Sequence, residues 1–342
     1  MMRKLIYILA IILAIGLPGN LSAQDSKQGV IEGQVVNETE GGGSVAGLEV
    51  ALIAWIEDGA REIQTSETDG EGKFRFADIS VEQSYLVRVC YMQIDYYYPI
   101  EFGDEETEKS IEVPVCDTTT SDQAIRVNLC HIVLYAEDGY FSVAQVMWLL
   151  NDGDRTYVGS EDTNFEGTQG VLVFTLPEGA LEFEVPEEFV ADYFMVDDDT
   201  VSNTLIFPPG EREIVFSYRF ESPASGDLVI ELFADYPTDA LHIMVQGEDI
   251  EVASTRLNPA GPIVTETGEK FIHFTVDGLE RGDTVDIHLS SLAGDSSLPF
   301  IIIGASAVVV IIVLVTYYMR RRAQAQSLTA PQPPESVDID NG

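Results

Sequence analysis

Between residues 29 and 294 apolar and polar positions alternate in short runs. Ile214, Phe216, Tyr218 and Phe220 alternate with Glu213, Val215, Ser217 and Arg219. Leu181, Phe183 and Val185 alternate with Glu182 and Glu184, and Val285, Ile287 and Leu289 with Asp286, His288 and Ser290. Each run buries one face and wets the other, the pattern of an antiparallel strand. No long stretch repeats apolar residues at i, i+3, i+4 and i+7. Turn chemistry separates the runs at Asp69-Gly70, Glu137-Asp138-Gly139, Asn151-Asp152-Gly153, Pro177-Glu178-Gly179, Pro208-Pro209-Gly210 and Asp277-Gly278. The expected fold is all-β: tandem antiparallel β-sandwich domains followed by one transmembrane helix.

Polar stretches propose the boundaries. Asp104–Ser110 and Asp117–Gln123 bracket a strand at Ile111–Val115, Glu221–Gly226 forms a second break, and Ala293–Ser297 closes the last strand. They predict a first domain at 29–116, a second at 124–220 and a third at 227–292, the last two being separate or continuous.

The two ends predict a topology. Arg3 and Lys4 precede an apolar run from Leu5 to Leu17, and Leu21-Ser22-Ala23 offers small residues for cleavage, so 1–23 reads as a signal peptide; an uncleaved anchor is the rival. Leu298 to Met319 is apolar and free of charge, and as a helix it would span roughly 33 Å, enough to cross a bilayer. Arg320, Arg321 and Arg322 follow at once and mark a cytoplasmic side, leaving 320–342 as a short cytoplasmic tail. The expected layout is single-pass type I, with the large segment outside the cytoplasm and the anchor carrying no ion path.

Charge narrows the partners. The chain has 18 Lys and Arg against 58 Asp and Glu. Residues 24–298 hold 13 of the basic and 55 of the acidic residues, a net of −42. Such a surface repels phosphate backbones and argues against nucleic acid. A composition that is 45% hydrophobic still supplies cores, so the acidity does not imply disorder. Salt adaptation of the host would also produce it.

Residues 30–102 carry Gly33 in a first strand, Gly47 before a second, and Thr68-Asp69-Gly70-Glu71-Gly72 leading into Phe74 and Phe76, then Ile79 and Tyr85-Leu86-Val87. This segment resembles the carboxypeptidase regulatory-like domain, which has a transthyretin-like fold grouped with carbohydrate-binding-like folds. The resemblance implies a seven-stranded sandwich and a passive module rather than an activity. Phe74 and Phe76 point to one face and are expected in its core.

Candidate chemistry is sparse. The histidines, His131, His242, His273 and His288, form no HExxH or HxxEH motif. His273 and His288 are candidates for a metal pair if their runs are neighbouring strands. Asn151-Asp152-Gly153-Asp154 and Asp197-Asp198-Asp199 supply oxygens suited to calcium, with Asp152, Asp154, Asp197, Asp198 and Asp199 as candidate ligands, though without EF-hand spacing. Alternation sends Tyr96 and Tyr98 inward and leaves Tyr97 as a candidate for stacking on sugar. Cys90, Cys116 and Cys130 are an odd set in an oxidising compartment, consistent with one disulfide among them or with thiols.

These features predict no enzyme and no cofactor beyond a possible calcium ion. They predict a membrane-anchored, extracytoplasmic protein of a bacterial or archaeal cell envelope that binds, adheres or supports. The alternatives are an accessory subunit docking on another membrane or secreted complex, and a carbohydrate-binding module. The expected partner is an unknown envelope protein or a glycan.

Overall fold

The computed structural model describes residues 27–291, apart from 57–58, 138, 161–163, 166–167, 187–192, 223–226, 247–249 and 266–267. The described residues are all-β, in several sheets and without an α-helix. The expected signal peptide, transmembrane helix and tail lie outside them. No helix of the described residues is long and apolar enough to cross a membrane. The described residues divide into two compact units, one of 27–37 with 44–115, the other of 38–43 with 116–291.

The first unit has seven strands: β1 (Gln28–Asn37), β2 (Glu49–Ile56), β3 (Gly59–Glu67), β4 (Lys73–Ser80), β5 (Tyr85–Tyr91), β6 (Ile94–Ile100) and β7 (Glu108–Val115). They form a three-stranded sheet in the order β4-β1-β7 and a four-stranded sheet in the order β3-β2-β5-β6. Period-two alternation sends Ile31 and Val35, Val50 and Leu52, Phe74 and Phe76, and Val87 and Val89 into one core between the sheets.

Two glycines make that core possible. Gly33 lies opposite Phe74 in the β1–β4 register. A Cβ there would meet the Phe74 ring at 2.1 Å, so the missing side chain is the space the ring fills. Gly72 has φ +80, and a Cβ on it would lie 2.5 Å from the Val35 carbonyl oxygen. The turn before it is held by Asp69, whose carboxylate accepts the Glu71 and Lys73 backbone N–H groups at 2.9 Å each. Those bonds hold its pKa below the usual carboxylate value.

The second unit is built on one long sheet. Its strands are β9 (Ile125–Glu137), β10 (Tyr140–Asn151), β15 (Leu181–Glu184), β18 (Gly210–Glu221), β20 (Thr238–Gln246), β22 (Asn258–Val264) and β23 (Lys270–Leu279), in the order β15-β18-β10-β9-β20-β23-β22. Two three-stranded sheets share its main core: β14 (Leu172–Thr175), β17 (Thr200–Asn203) and β16 (Phe194–Asp197), and β19 (Asp227–Phe233), β24 (Thr284–Ser291) and β21 (Ile250–Ala253). Short pairs complete it, β8 (Thr118–Thr119) with β11 (Thr156–Tyr157) and β12 (Asn164–Phe165) with β13 (Thr168–Gln169).

Residues 124–220 and 227–292 thus contribute to the same sheet. The junction is the parallel pairing of β9 with β20, Cys130 opposite Leu241 and His131 opposite His242. Because β9 is central, both its faces are covered. Cys130, Ile132 and Leu134 enter the main core, whereas Val133 and Tyr135 join a second apolar cluster on the opposite face with Val146, Met244 and Phe271. The edges of the long sheet differ from its centre. β22 carries Pro259, Gly261 and Pro262 with a register shift between Pro259 and Gly261, and β15 pairs irregularly and presents Glu182 and Glu184.

Phe74→Ala is expected to cost about 3–5 kcal/mol in denaturant unfolding, the range for a buried Phe. Gly33→Ala should also destabilise the first unit, but much less in the Phe74→Ala background, because the two changes act on one volume. Additive costs in that double-mutant cycle would show that the ring does not occupy the Gly33 space.

Candidate functional site

Three of the acidic candidates, Asp152, Asp154 and Asp199, have structural partners. Asn151 is buried at the end of β10, and its side-chain amide donates to the Arg155 and Phe207 carbonyls at 2.9 Å while its Oδ1 accepts the Gly153 N–H at 3.0 Å. That fixes the turn holding Asp152 and Asp154. Asp152 Oδ2 accepts from Arg126 Nε at 2.6 Å, and Arg126 also pairs with Asp239. Asp154 Oδ2 accepts the Glu40 N–H at 3.0 Å, and its carbonyl accepts the Thr39 hydroxyl at 2.8 Å. Asp197 ends β16, and Asp198 and Asp199 form the exposed turn to β17, with Asp198 at φ 49 and Asp199 accepting from the Thr200 hydroxyl at 3.3 Å. The two runs are not brought together, and among the described residues no group of three or more His, Cys, Asp or Glu is placed to hold a metal ion.

The proposed neighbours His273 and His288 are in different sheets. The chain leaves β23 through Gly278 and Gly282, at φ 65 and 87, and enters β24 in the opposite layer. His273 instead meets histidines that the sequence separates widely. On the outer face of the long sheet, His131 of β9, His242 of β20 and His273 of β23 form a column with ring centroids 5.1 and 5.0 Å apart. His273 Nε2 and His242 Nδ1 are 3.2 Å apart. Trp148 of β10 packs edge-on to His131 at 5.3 Å. Burial first, and after it the two neighbouring imidazoles, together push the His131 pKa down to about 3. Burial also lowers His242 and His273; Asp277 partly offsets this at His242, while His242 adds to it at His273.

In the first unit Tyr96 and Tyr98 pack against the core and Tyr97 is 53% exposed. Arg88 lies opposite both Tyr97 and Ala51, and Leu86 opposite both Pro99 and Ile53. These residues therefore share the outward face of the four-stranded sheet with Trp55, also 53% exposed. Trp55 was legible by the same alternation that singled out Tyr97, since Val50, Leu52 and Ala54 point inward. The histidine column was not, because it depends on a parallel pairing between distant segments.

No disulfide joins Cys90, Cys116 and Cys130. Cys90 is exposed on β5, and Cys116 and Cys130 are buried. Burial pushes the Cys130 thiol up to about 12 and also raises the other two, which suppresses the nucleophilic thiolate. A cavity of about 50 Å3 inside the second unit, lined by Cys130, Gln145, Phe174 and Asp235 among others, has room for water rather than for a substrate.

No protein-family model matches the chain, and no curated protein matches it. Among solved structures it is similar to a Parabacteroides distasonis ATCC 8503 chain assigned as a protease, with 9% identity and a TM-score of 0.31 over 49% of this chain and 40% of that one. It is also similar to an M1 zinc metallopeptidase from Deinococcus radiodurans, with 12% identity and a TM-score of 0.30 over 50% of this chain and 43% of that one. The chain thus spans less than half of either neighbour, and likeness at this level carries no argument about activity.

The buried imidazoles make stability pH-dependent in a defined direction. Their folded pKa values lie below the unfolded value near 6.5, so the unfolded chain binds more protons between that value and the folded ones. Stability is therefore whole above about pH 6.5 and falls as pH drops toward 3, by about 1.4 kcal/mol per pH unit for each proton. Urea midpoints measured from pH 8 to 4.5 should show this loss, and His131→Gln should reduce the slope; an unchanged slope would remove His131 from the buried neutral set. Calcium is expected to behave otherwise. Its effect on the melting temperature should match that of NaCl at equal ionic strength, because Asp152 and Asp154 already have partners; a saturable, chelator-reversible rise would reverse that assignment.

Proposed function

We propose that the chain is a non-enzymatic, membrane-anchored module of a cell envelope, acting outside the cytoplasm in binding, adhesion or structural support. The observation that carries the binding reading is the outward face of the β3-β2-β5-β6 sheet. Trp55 and Tyr97 are exposed there around Ile53, Leu86 and Pro99, on strands whose inward residues are locked in the core. Large aromatic residues displayed on a rigid sheet offer contact area at small entropic cost. The anchor rests on the apolar run 298–319 and the arginines that follow it, and the orientation on those arginines. The first unit, with its TDGEG turn and two-sheet sandwich, supports the carboxypeptidase regulatory-like reading.

A carbohydrate ligand is the second reading, and the same face favours it. Trp55 stands two strands across and four residues along from Tyr97, about 10 Å by 13 Å, a separation that suits an oligosaccharide rather than one ring. Docking as an accessory subunit would use the surface without a glycan.

Three outcomes separate these readings. A glycan panel probed with the full-length protein should show binding that falls at least tenfold in Trp55→Ala and Tyr97→Ala; binding untouched by both changes would clear this face of the role. Recovery of a stoichiometric membrane partner lost in the same variants, with no glycan bound, would select the accessory subunit. Protease added outside intact cells should digest residues 24–296 and spare a tag after Gly342, and digestion of the tag would reverse the orientation.

A further inference from the structure

The histidine column lies outside that aromatic face, in the other unit. His242 and His273 sit on adjacent antiparallel strands, and the register places Met244 opposite His273 and His242 opposite Thr275, so the two imidazoles are diagonal neighbours on one face. Their facing nitrogens, Nδ1 of His242 and Nε2 of His273, are 3.2 Å apart. We propose that this pair is a binding site for a borderline first-row divalent cation of the Zn2+, Ni2+ or Cu2+ class. The proposal goes beyond the envelope-binding reading and does not depend on it.

The distance is the first support. A tetrahedral ion with metal–nitrogen bonds of about 2.0–2.1 Å holds its ligand nitrogens about 3.3 Å apart, so the strand spacing already supplies the bite. Rotation of the two rings about their Cβ–Cγ bonds turns nitrogens that face each other toward a common point. Ligand type is the second support: imidazole suits Zn2+, Ni2+ and Cu2+, whereas Mg2+ and Ca2+ take oxygen. Both rings are only half-buried, so solvent can reach the ion and water can complete its coordination. His131 lies against His242 with the rings tilted by 40° and their centroids 5.1 Å apart, and the acidic chain raises the local concentration of cations. Two protein ligands define this site rather than a closed set of three.

The rival is a neutral His–His hydrogen bond with no ion. The test titrates the full-length protein at pH 7.5 with ZnCl2 by calorimetry and by thermal melting, using MgCl2 and CaCl2 as controls. The expected result is one zinc per chain and a saturable, EDTA-reversible rise in melting temperature that Mg2+ and Ca2+ do not reproduce. His242→Gln and His273→Gln should each weaken zinc at least tenfold, and His288→Gln, on the other layer, should not. Cu2+ bound to the unmutated protein should show hyperfine coupling to two imidazole nitrogens in its electron paramagnetic resonance spectrum, a readout that needs no variant to fold. Absence of binding, zinc affinity unchanged in both variants, or a copper spectrum without that coupling would overturn the proposal.

Discussion

The second unit depends on the parallel contact between β9 and β20. On either side of it the sheet is antiparallel and built from near neighbours in the chain, β9 with β10 and β20 with β23. Without it, residues 124–220 and 227–292 would be two sheets with two open edges. With it they share one core and place β9 at the centre, where a strand must be apolar on both faces. The segment Leu129 to Tyr135 has that character, and the second apolar cluster and the histidine column both follow from it.

The acidic composition is resolved locally. Asp69 holds its own turn by accepting backbone N–H groups, Asp152 pairs with Arg126, Asp154 accepts the Glu40 N–H, and Asp235 accepts the Thr175 N–H and hydroxyl at 2.9 and 2.8 Å. Short polar side chains that bind nearby backbone stabilise turns whether or not a cation is present. An acidic run beside a glycine therefore has two physical explanations, and the bonds of Asn151 to Gly153 and Arg155 identify the turn.

What could be read from the chain was what depends on near neighbours. Alternation located the strands around Phe74, Phe216 and Val285, placed Phe74 and Phe76 in a core, and turned Tyr97 away from Tyr96 and Tyr98. Pairing between distant segments was out of reach. Nothing local says that Cys130 lies opposite Leu241, so the meeting of His131, His242 and His273 was invisible, and a short turn wrongly suggested that His273 and His288 were neighbours. One local signal was available for the central position of β9: LCHIVLY is a near-continuous apolar run rather than an alternating one.

The ends of the long sheet determine how another molecule can approach it. β22 has two prolines that cannot donate hydrogen bonds and a broken register, and β15 is four residues long with glutamates at positions 182 and 184. Both devices blunt an edge against a further strand. A ligand that binds by adding a strand to an exposed edge, as many extended peptides do, meets a poor template at either end of the long sheet. What the long sheet offers another molecule is the side chains on its faces, and copies crowded on one surface are kept from zipping together through the backbones at its two ends.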